Sequence, residues 1–502
     1  RDRKIHLGTV GFRDYYELIQ DPESIRHVEM VGSKYTAVSI LLLNIKRPKF
    51  QKPETRQWIQ RRIMEHLQVP QKYQNLLEKS YEYFLPAAPG YVDPQEVKKV
   101  VAILKSAFAE GVLSTGVSVS DIGLSPSPVL YFATAHWKLD GGANVTGSHN
   151  PIDYNGIKMV HSGAAPLTED EIQSLHLMIQ SDTFESGAGT LKPADPREEY
   201  FTVIAERVKP ARRLRVVVDA GNGVAGLFGP ELLTRLGCEV IQLHCESDGR
   251  FPNHLPDPEM EENVRDLMAK VVEVKADLGI AYDGDADRMG VVDELGRRHE
   301  ADLVLILLAR DFLSRHPGAP VVFDVKCSQN VVEEIKARGG VPVMWKTGHS
   351  LLKRKMREDG ILLGGEVSGH MFFGENYYGI DDGILASVKI IEIVSKSSEP
   401  ASAHFDSIPH LPATPELKAP CPDEEKFRVV EEITREFKKR YEVVDIDGAR
   451  VIFPGGWGLI RASNTNPYLT LRFEAKTTEG IEEMKRIVYA ALSRYPFITL
   501  PG

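Results

Sequence analysis

Ser148 lies in Thr146-Gly147-Ser148-His149-Asn150-Pro151, a serine between glycine and histidine in a turn that ends in proline. Gly147 tolerates left-handed or strained backbone angles, so the turn is expected to project the Ser148 hydroxyl. Asn150-Pro151 breaks the strand before it. A nucleophilic or phosphorylated serine needs such an exposed, rigid tip with a proton acceptor close by. His149 is adjacent, and Lys158 follows shortly after Asn155-Gly156. The plain alternative is a polar turn.

Asp283-Gly284-Asp285-Ala286-Asp287-Arg288 follows an apolar strand end, Asp277 to Tyr282. Three carboxylates at alternate positions of a loop can turn toward one hard cation, and oxygen-only ligation suits magnesium. An EF-hand is excluded: its sixth position requires glycine and is Arg288 here, and the flanks read as strands. A solvated acidic turn is the other reading.

Gly364-Gly365-Glu366-Val367-Ser368-Gly369-His370 spaces Glu366, Ser368 and His370 so that they point one way if the segment is extended. Such a row can accept and donate hydrogen bonds to vicinal hydroxyls; a polar hairpin is the alternative. Thr347-Gly348-His349-Ser350 adds a histidine at a helix start. Arg461-Ala462-Ser463-Asn464-Thr465-Asn466-Pro467 gathers an arginine with small hydroxyl and amide groups, a phosphate cradle, and Arg472 on the following strand adds charge. Gly8-Thr9-Val10-Gly11-Phe12-Arg13 delivers an arginine from a glycine-flanked turn, or is an ordinary loop.

The elements that hold these loops show a repeat. Leu214–Asp219, a glycine turn, a helix over 230–236, Gly237 and a strand over 239–243 return as Val321–Val325, a turn at Lys326-Cys327-Ser328, a helix over 331–337, Gly339-Gly340 and a strand over 341–345. A helix over 94–110, ended by Gly111, and a strand over 117–124 make a third copy, whose first strand has only Tyr83 to Leu85 as a weak candidate. Continuous apolar strands alternating with helices imply parallel sheet covered on both faces. Helices are also expected over 54–67 and 70–84, and residues 185–195 read as a linker. The last segment reads as α+β: a helix over 424–439, strands near 443–446, 449–453 and 469–475, and a helix over 481–491. The expected fold is therefore α/β: three related α/β domains with mixed, mostly parallel sheets (1–194, 195–297, 298–409) and a C-terminal α+β domain (410–502).

At 502 residues the chain exceeds one hydrophobic core. A net charge of -10 argues against a general nucleic-acid binder. No apolar run approaches the roughly 20 residues of a membrane helix, so no membrane partner is expected. No secretory signal is read. The four cysteines (Cys238, Cys245, Cys327, Cys421) form no Cys-x-x-Cys pair, and a reducing, cytoplasmic setting is expected.

The four polar stretches, in this order, resemble the signatures of the α-D-phosphohexomutase family, and within it the bacterial phosphomannomutase/phosphoglucomutase group. The resemblance covers roughly residues 105 to 502 and, more thinly, the start; residues 20 to 95 depart from the family's pattern. The resemblance implies domains around a central cleft, with Ser148 as a phosphoserine. It implies magnesium held by Asp283, Asp285 and Asp287 with the Ser148 phosphate. Lys158, His149, Arg288, His349 and Lys326 would line the reaction centre. Glu366 and Ser368 would grip sugar hydroxyls beside His370, and Arg461, Ser463, Asn464, Thr465 and Arg472 would hold the distal phosphate. Arg13 matches the N-terminal arginine. The implied reaction interconverts hexose 1-phosphate and 6-phosphate, of mannose and glucose, through a hexose 1,6-bisphosphate. Small-molecule sugar phosphates are the expected partners, with a monomer or small homo-oligomer. The general base is Lys158 or a nearby histidine. A catalytically weak sugar-phosphate binding protein, phosphoglucosamine mutase and a magnesium-dependent phosphatase are the competing readings.

Overall fold

The computed structural model describes residues 94–148, 156–181, 183–464 and 466–501. Arg13, His149 and Thr465, the expected helices over 54–67 and 70–84, and the candidate strand at 83–85 lie outside the described residues.

The first unit contains α1 (Pro94–Ser114), β1 (Val119–Asp121), α2 (Ser127–His136), β2 (Gly141–Thr146), β3 (Gly156–His161), α3 (Glu169–Ser181) and β4 (Leu191–Pro193). Two sequence expectations fail here. Gly111 does not end its helix, which runs on to Ser114. Residues 185–195 are not a plain linker: Gly187 bridges Thr115, and β4 pairs in parallel with β1. Close approach explains those glycines, since a Cβ on Gly189 would lie 2.0 Å from the Val117 carbonyl oxygen. β2 and β3 form an antiparallel ribbon that carries the serine turn at its tip.

The second unit contains α4 (Arg197–Arg207), β5 (Arg215–Asp219), α5 (Gly229–Arg235), β6 (Glu239–Leu243), α6 (Glu261–Val274), β7 (Leu278–Tyr282), β8 (Met289–Asp293) and β9 (Arg298–His299). The third contains α7 (Ala301–Arg315), β10 (Pro320–Asp324), α8 (Gln329–Ala337), β11 (Val341–Trp345), α9 (His349–Asp359), β12 (Leu363–Gly365), β13 (Met371–Phe373), β14 (Ile380–Asp381), α10 (Gly383–Ser395) and α11 (Ala401–Asp406). Their sheets share one topology, β6-β5-β7-β8-β9 and β11-β10-β12-β13-β14. The first three strands of each are parallel and the last two antiparallel. Val216, Val217 and Val218 in β5, and Val321, Val322 and Phe323 in β10, are all buried, as strands covered on both faces require.

The C-terminal unit contains β15 (Leu417–Pro420), α12 (Asp423–Phe437), β16 (Glu442–Val444), β17 (Ala449–Phe453), β18 (Gly456–Ala462), β19 (Tyr468–Ala475) and α13 (Thr478–Leu492). Its sheet, ordered β15-β19-β18-β17-β16, is antiparallel throughout. Sequence reading missed β15, hidden among prolines, and β18, whose glycines depress strand propensity.

One continuous apolar core joins the first three units, with α7 and α10 at its centre. The C-terminal unit has its own core and meets the third unit just past the end of β10, through Val325, Trp457 and Leu459. Arg450 fixes that junction: its Nη1 donates to the carbonyls of Val325 (2.6 Å) and Cys327 (2.7 Å), and its guanidinium lies 3.7 Å from the Trp457 ring centroid.

Candidate active site

The acidic loop leaves β7 at its carboxyl end and enters β8. Asp283, Asp285 and Asp287 are buried there, with one oxygen from each inside a 4.8 Å span. Neighbouring segments hold the loop. The Ser127 N–H donates to the Asp285 carbonyl (2.9 Å), and the Ser127 hydroxyl to Asp285 Oδ2 (2.6 Å). Val224 N–H donates to the Gly284 carbonyl (3.1 Å) and Gly383 N–H to that of Ala286 (3.2 Å). The acidic loop is thus tied to three neighbouring segments by main-chain bonds.

The serine turn lies directly on this loop. A Cβ on Gly284 would come within 2.4 Å of the Ser148 carbonyl oxygen. The strained residue is Ser148 itself, at φ 51°, rather than Gly147. The Thr146 hydroxyl accepts from Ser148 N–H at 2.9 Å and steadies that conformation.

Lys158 sits on β3 with its Nζ 2.7 Å from Asp285 Oδ2 and 2.6 Å from Asp287 Oδ2. Burial alone would lower its pKa; the two carboxylates overcome this and raise it well above the ordinary lysine value. The same ammonium, with His370, holds Asp287 well below the carboxylate range against the effect of burial. Burial and the Asp287 charge push Asp283 the other way. Among the described residues Asp285 Oδ1 is buried without a hydrogen-bond partner, and Asp287 Oδ1 makes no hydrogen bond and has the His370 ring 3.4 Å away. Orphaned carboxylate oxygens in an all-oxygen cluster fit a hard divalent cation.

A second row of charge runs behind Asp287. His370 Nε2 lies 3.4 Å from Asp287 Oδ1, and its Nδ1 lies 3.2 Å from Glu366 Oε2 and 3.0 Å from the Ser368 hydroxyl. Burial opposes charge on His370, but Asp287 and Glu366 raise its pKa to about 10. The His349 ring stacks on it, centroids 5.3 Å apart, with Nδ1 3.3 Å from Asp381 Oδ2. Burial and Lys353 lower the His349 pKa. Buried Lys353 donates to Asp381 Oδ1 at 2.8 Å.

Glu366, Ser368 and His370 are not in an extended row. They occupy the tight turn between β12 and β13, closed by Glu366 N–H to the His370 carbonyl (2.9 Å) and Gly369 N–H to that of Glu366 (3.1 Å). The turn still brings Glu366 and His370 together, and Glu366 Oε1 also caps α9 by accepting from Gly348 N–H (2.7 Å).

Other expected site residues are distributed around this centre. Arg288 is buried and engaged by Asp283 (3.0 Å) and Asp257 (3.2 Å), which makes it a brace for the acidic loop. Lys326 donates to Glu416 of the C-terminal unit. Arg461 Nε donates to Asp447 Oδ2 at 2.6 Å, and that oxygen also accepts from Thr347 N–H (3.0 Å). Ser463 accepts from Asn466 N–H (3.2 Å), and Asn464 is exposed in the same turn. Arg472, on β19, is buried, and Asp302 lies 3.9 Å from its Nη2.

Sequence reading passed over Ser127, Lys353, Asp381, Glu416 and Asp447. Ser127 had a visible signal in Ser125-Pro126-Ser127-Pro128, which reads only as a helix start. Asp381-Asp382 is a carboxylate pair beside an apolar helix, a placement that demands partners. Glu416 and Asp447 act across unit boundaries, and no local pattern marks them.

Four family profiles match the chain. They are phosphoglucomutase/phosphomannomutase alpha/beta/alpha domain I (residues 100–186), domain II (198–296), domain III (300–411) and the C-terminal domain (416–491). A phosphomannomutase/phosphoglucomutase of Pseudomonas aeruginosa is 45% identical over 395 residues, 78% of this chain and 83% of that protein. A phosphoglucomutase of Neisseria gonorrhoeae is 42% identical over 396 residues, 78% of this chain and 86% of its own. A crystal structure of a phosphoglucomutase/phosphomannomutase family protein from Burkholderia thailandensis superposes with a TM-score of 0.75 at 41% identity, over 80% of this chain and 88% of that one. With all four domain profiles matched in order on this fold, the chain belongs to the phosphoglucomutase/phosphomannomutase family.

Proposed function

We propose that this chain is a phosphohexomutase that interconverts the 1- and 6-phosphates of glucose and mannose through a phosphorylated Ser148. The single observation that carries the reading is the stacking of the serine turn on a buried acidic cluster, with Ser148 against Gly284 between Asp283 and Asp285.

In this account a phosphorylated Ser148 Oγ gives its phosphoryl group to a hydroxyl of a hexose monophosphate. The Oγ–P bond breaks, a P–O bond to the sugar forms, and the hydroxyl proton passes to a base. The resulting 1,6-bisphosphate turns over, and its other phosphoryl group returns to Ser148. Lys158 lies within hydrogen-bond distance of Asp285 and Asp287, beside the serine turn. It supplies positive charge where negative charge builds on the transferring group. Asp283, Asp285 and Asp287 would hold magnesium, which when bound offsets phosphoryl charge.

Glu366, anchored by the α9 start, and Ser368 present acceptors to sugar hydroxyls, with charged His370 behind them. Arg461, Ser463, Asn464 and Thr465 take the phosphate that is not reacting. One fixed anchor opposite one reaction centre makes the two half-reactions equivalent once the sugar reverses.

The test is conversion of glucose 1-phosphate to glucose 6-phosphate by the purified protein, with magnesium and a trace of glucose 1,6-bisphosphate, and mannose 1-phosphate in parallel. Turnover on both sugars, lost in Ser148→Ala, is expected. Retained sugar-phosphate binding with no turnover would replace the reading with that of a binding protein.

A further inference from the structure

We propose that Asp219, His244 and His254 form a second divalent-metal site, of the zinc type with nitrogen and oxygen ligands, at the carboxyl ends of β5 and β6. One potential ligand atom from each of the three residues lies within a 4.8 Å span. Asp219 is wholly buried, and the side chains of His244 and His254 are 17% and 13% exposed. None belongs to the acidic loop.

The hydrogen bonding around His254 demands a cation. Its Nδ1 is 2.9 Å from the Leu255 carbonyl oxygen, so Nδ1 carries a proton and donates. Its Nε2 then faces both oxygens of Asp219, at 3.1 and 3.3 Å. A neutral ring would aim a lone pair at a buried carboxylate. Only a second ring proton or a metal ion between them relieves this. A ring whose far nitrogen donates to a backbone carbonyl is also the usual set-up of a metal-ligating histidine.

A proton would satisfy His254 alone. It gives no reason for His244, whose ring stands edge-on to that of His254 with centroids 5.3 Å apart. His244 is held at φ 49°, and its main-chain oxygen accepts from Asn222 N–H (2.7 Å). Asp266 on α6 reaches His244 Nε2 at 3.3 Å. Two imidazoles around one buried carboxylate, with a second carboxylate outside, balance the charge of a divalent ion. Three protein ligands leave a fourth position for water.

The site sits one layer behind the serine turn. The Cβ position of Gly221, beside Asp219, is 3.0 Å from Pro256, and Pro256 is 3.4 Å from the Cβ position of Gly284. A bound ion would tie the β5, β6 and 254–256 segments together beneath the acidic loop.

The experiment titrates the whole protein with cobalt(II) chloride under excess magnesium, followed by visible absorption, with zinc chloride as competitor. We expect one equivalent of cobalt with the intense bands of a four-coordinate ion, displaced by zinc. They should be absent in His254→Gln and His244→Gln and retained in Asp285→Asn. Circular dichroism shows which variants fold, and His244→Gln keeps the test usable if His254→Gln does not. No such bands in the wild type, bands unchanged in the histidine variants, or bands lost only in Asp285→Asn would each overturn the proposal.

Discussion

Arg288 and His370 face each other in an isolated antiparallel bridge, and Met289 N–H donates to the Gly369 carbonyl at 3.3 Å. This pairing joins the acidic loop of the second unit to the hairpin turn of the third by main chain. The candidate metal ligands and the candidate sugar-binding residues therefore cannot shift independently. Their side chains are linked in turn, since His370 lies between Asp287 and Glu366.

Lys158 sets its ammonium on Asp285 and Asp287, in the loop that meets the serine turn. Lys158→Met removes that charge and the proton-carrying group. The expected loss is about 10²- to 10⁴-fold in kcat, with a lower melting temperature because buried Asp285 and Asp287 lose their shared cation. Steady-state kinetics beside a melting curve check this; an unchanged kcat would remove Lys158 from the mechanism.

Gly284 has no room for a side chain. Gly284→Ala would force a Cβ to within 2.4 Å of the Ser148 carbonyl, so the serine turn must move. Turnover should fall about 10²-fold, the scale of a 1 Å misplacement, with binding of the distal phosphate kept. Near-wild-type turnover would show that the contact between these loops is not maintained during reaction.

Much of this site was legible in the chain because its parts are local. The serine turn and the acidic loop are short, and their residue types are the chemistry. The repeat was legible for a similar reason: β5 and β10 are continuous buried runs ended by an aspartate. What escaped was relational. Asp447 matters because it bridges Arg461 and Thr347, far apart in sequence. The 185–195 segment looked like a linker because glycine there signals flexibility, whereas Gly189 is small to let strands approach. The 364–370 motif fits either an extended row or a polar hairpin, and Gly369 at φ 103° bends it into the hairpin turn.

Arg461 tests the distal anchor. Charged hydrogen bonds contribute about 1.5–3 kcal/mol each, so Arg461→Ala should lower kcat/KM by roughly 10- to 100-fold, mainly through KM. The effect should be equal for the 1- and 6-phosphates, because one anchor serves both half-reactions. A loss confined to one substrate would contradict that equivalence.

Asp382 provides a pH signature. It caps α10 and accepts from Tyr200 (3.0 Å) and Tyr377 (2.9 Å), yet burial raises its pKa to about 7. An unfolded aspartate titrates near ~4. Between these values the folded state holds a proton that the unfolded state has lost, so stability falls as pH rises from about 4 to 7. Asp382→Asn should flatten the denaturation-midpoint profile in that window. An unaltered slope would show that Asp382 is already ionised at pH 4.

The central claim is that Ser148 carries the phosphoryl group. The direct measurement is intact and peptide mass spectrometry after incubation with glucose 1,6-bisphosphate and magnesium. One phosphate on the peptide containing Ser148, removed on addition of excess glucose 6-phosphate and absent in Ser148→Ala, is the predicted result. A phosphate on another residue, or none in a protein that still turns over substrate, would contradict the account.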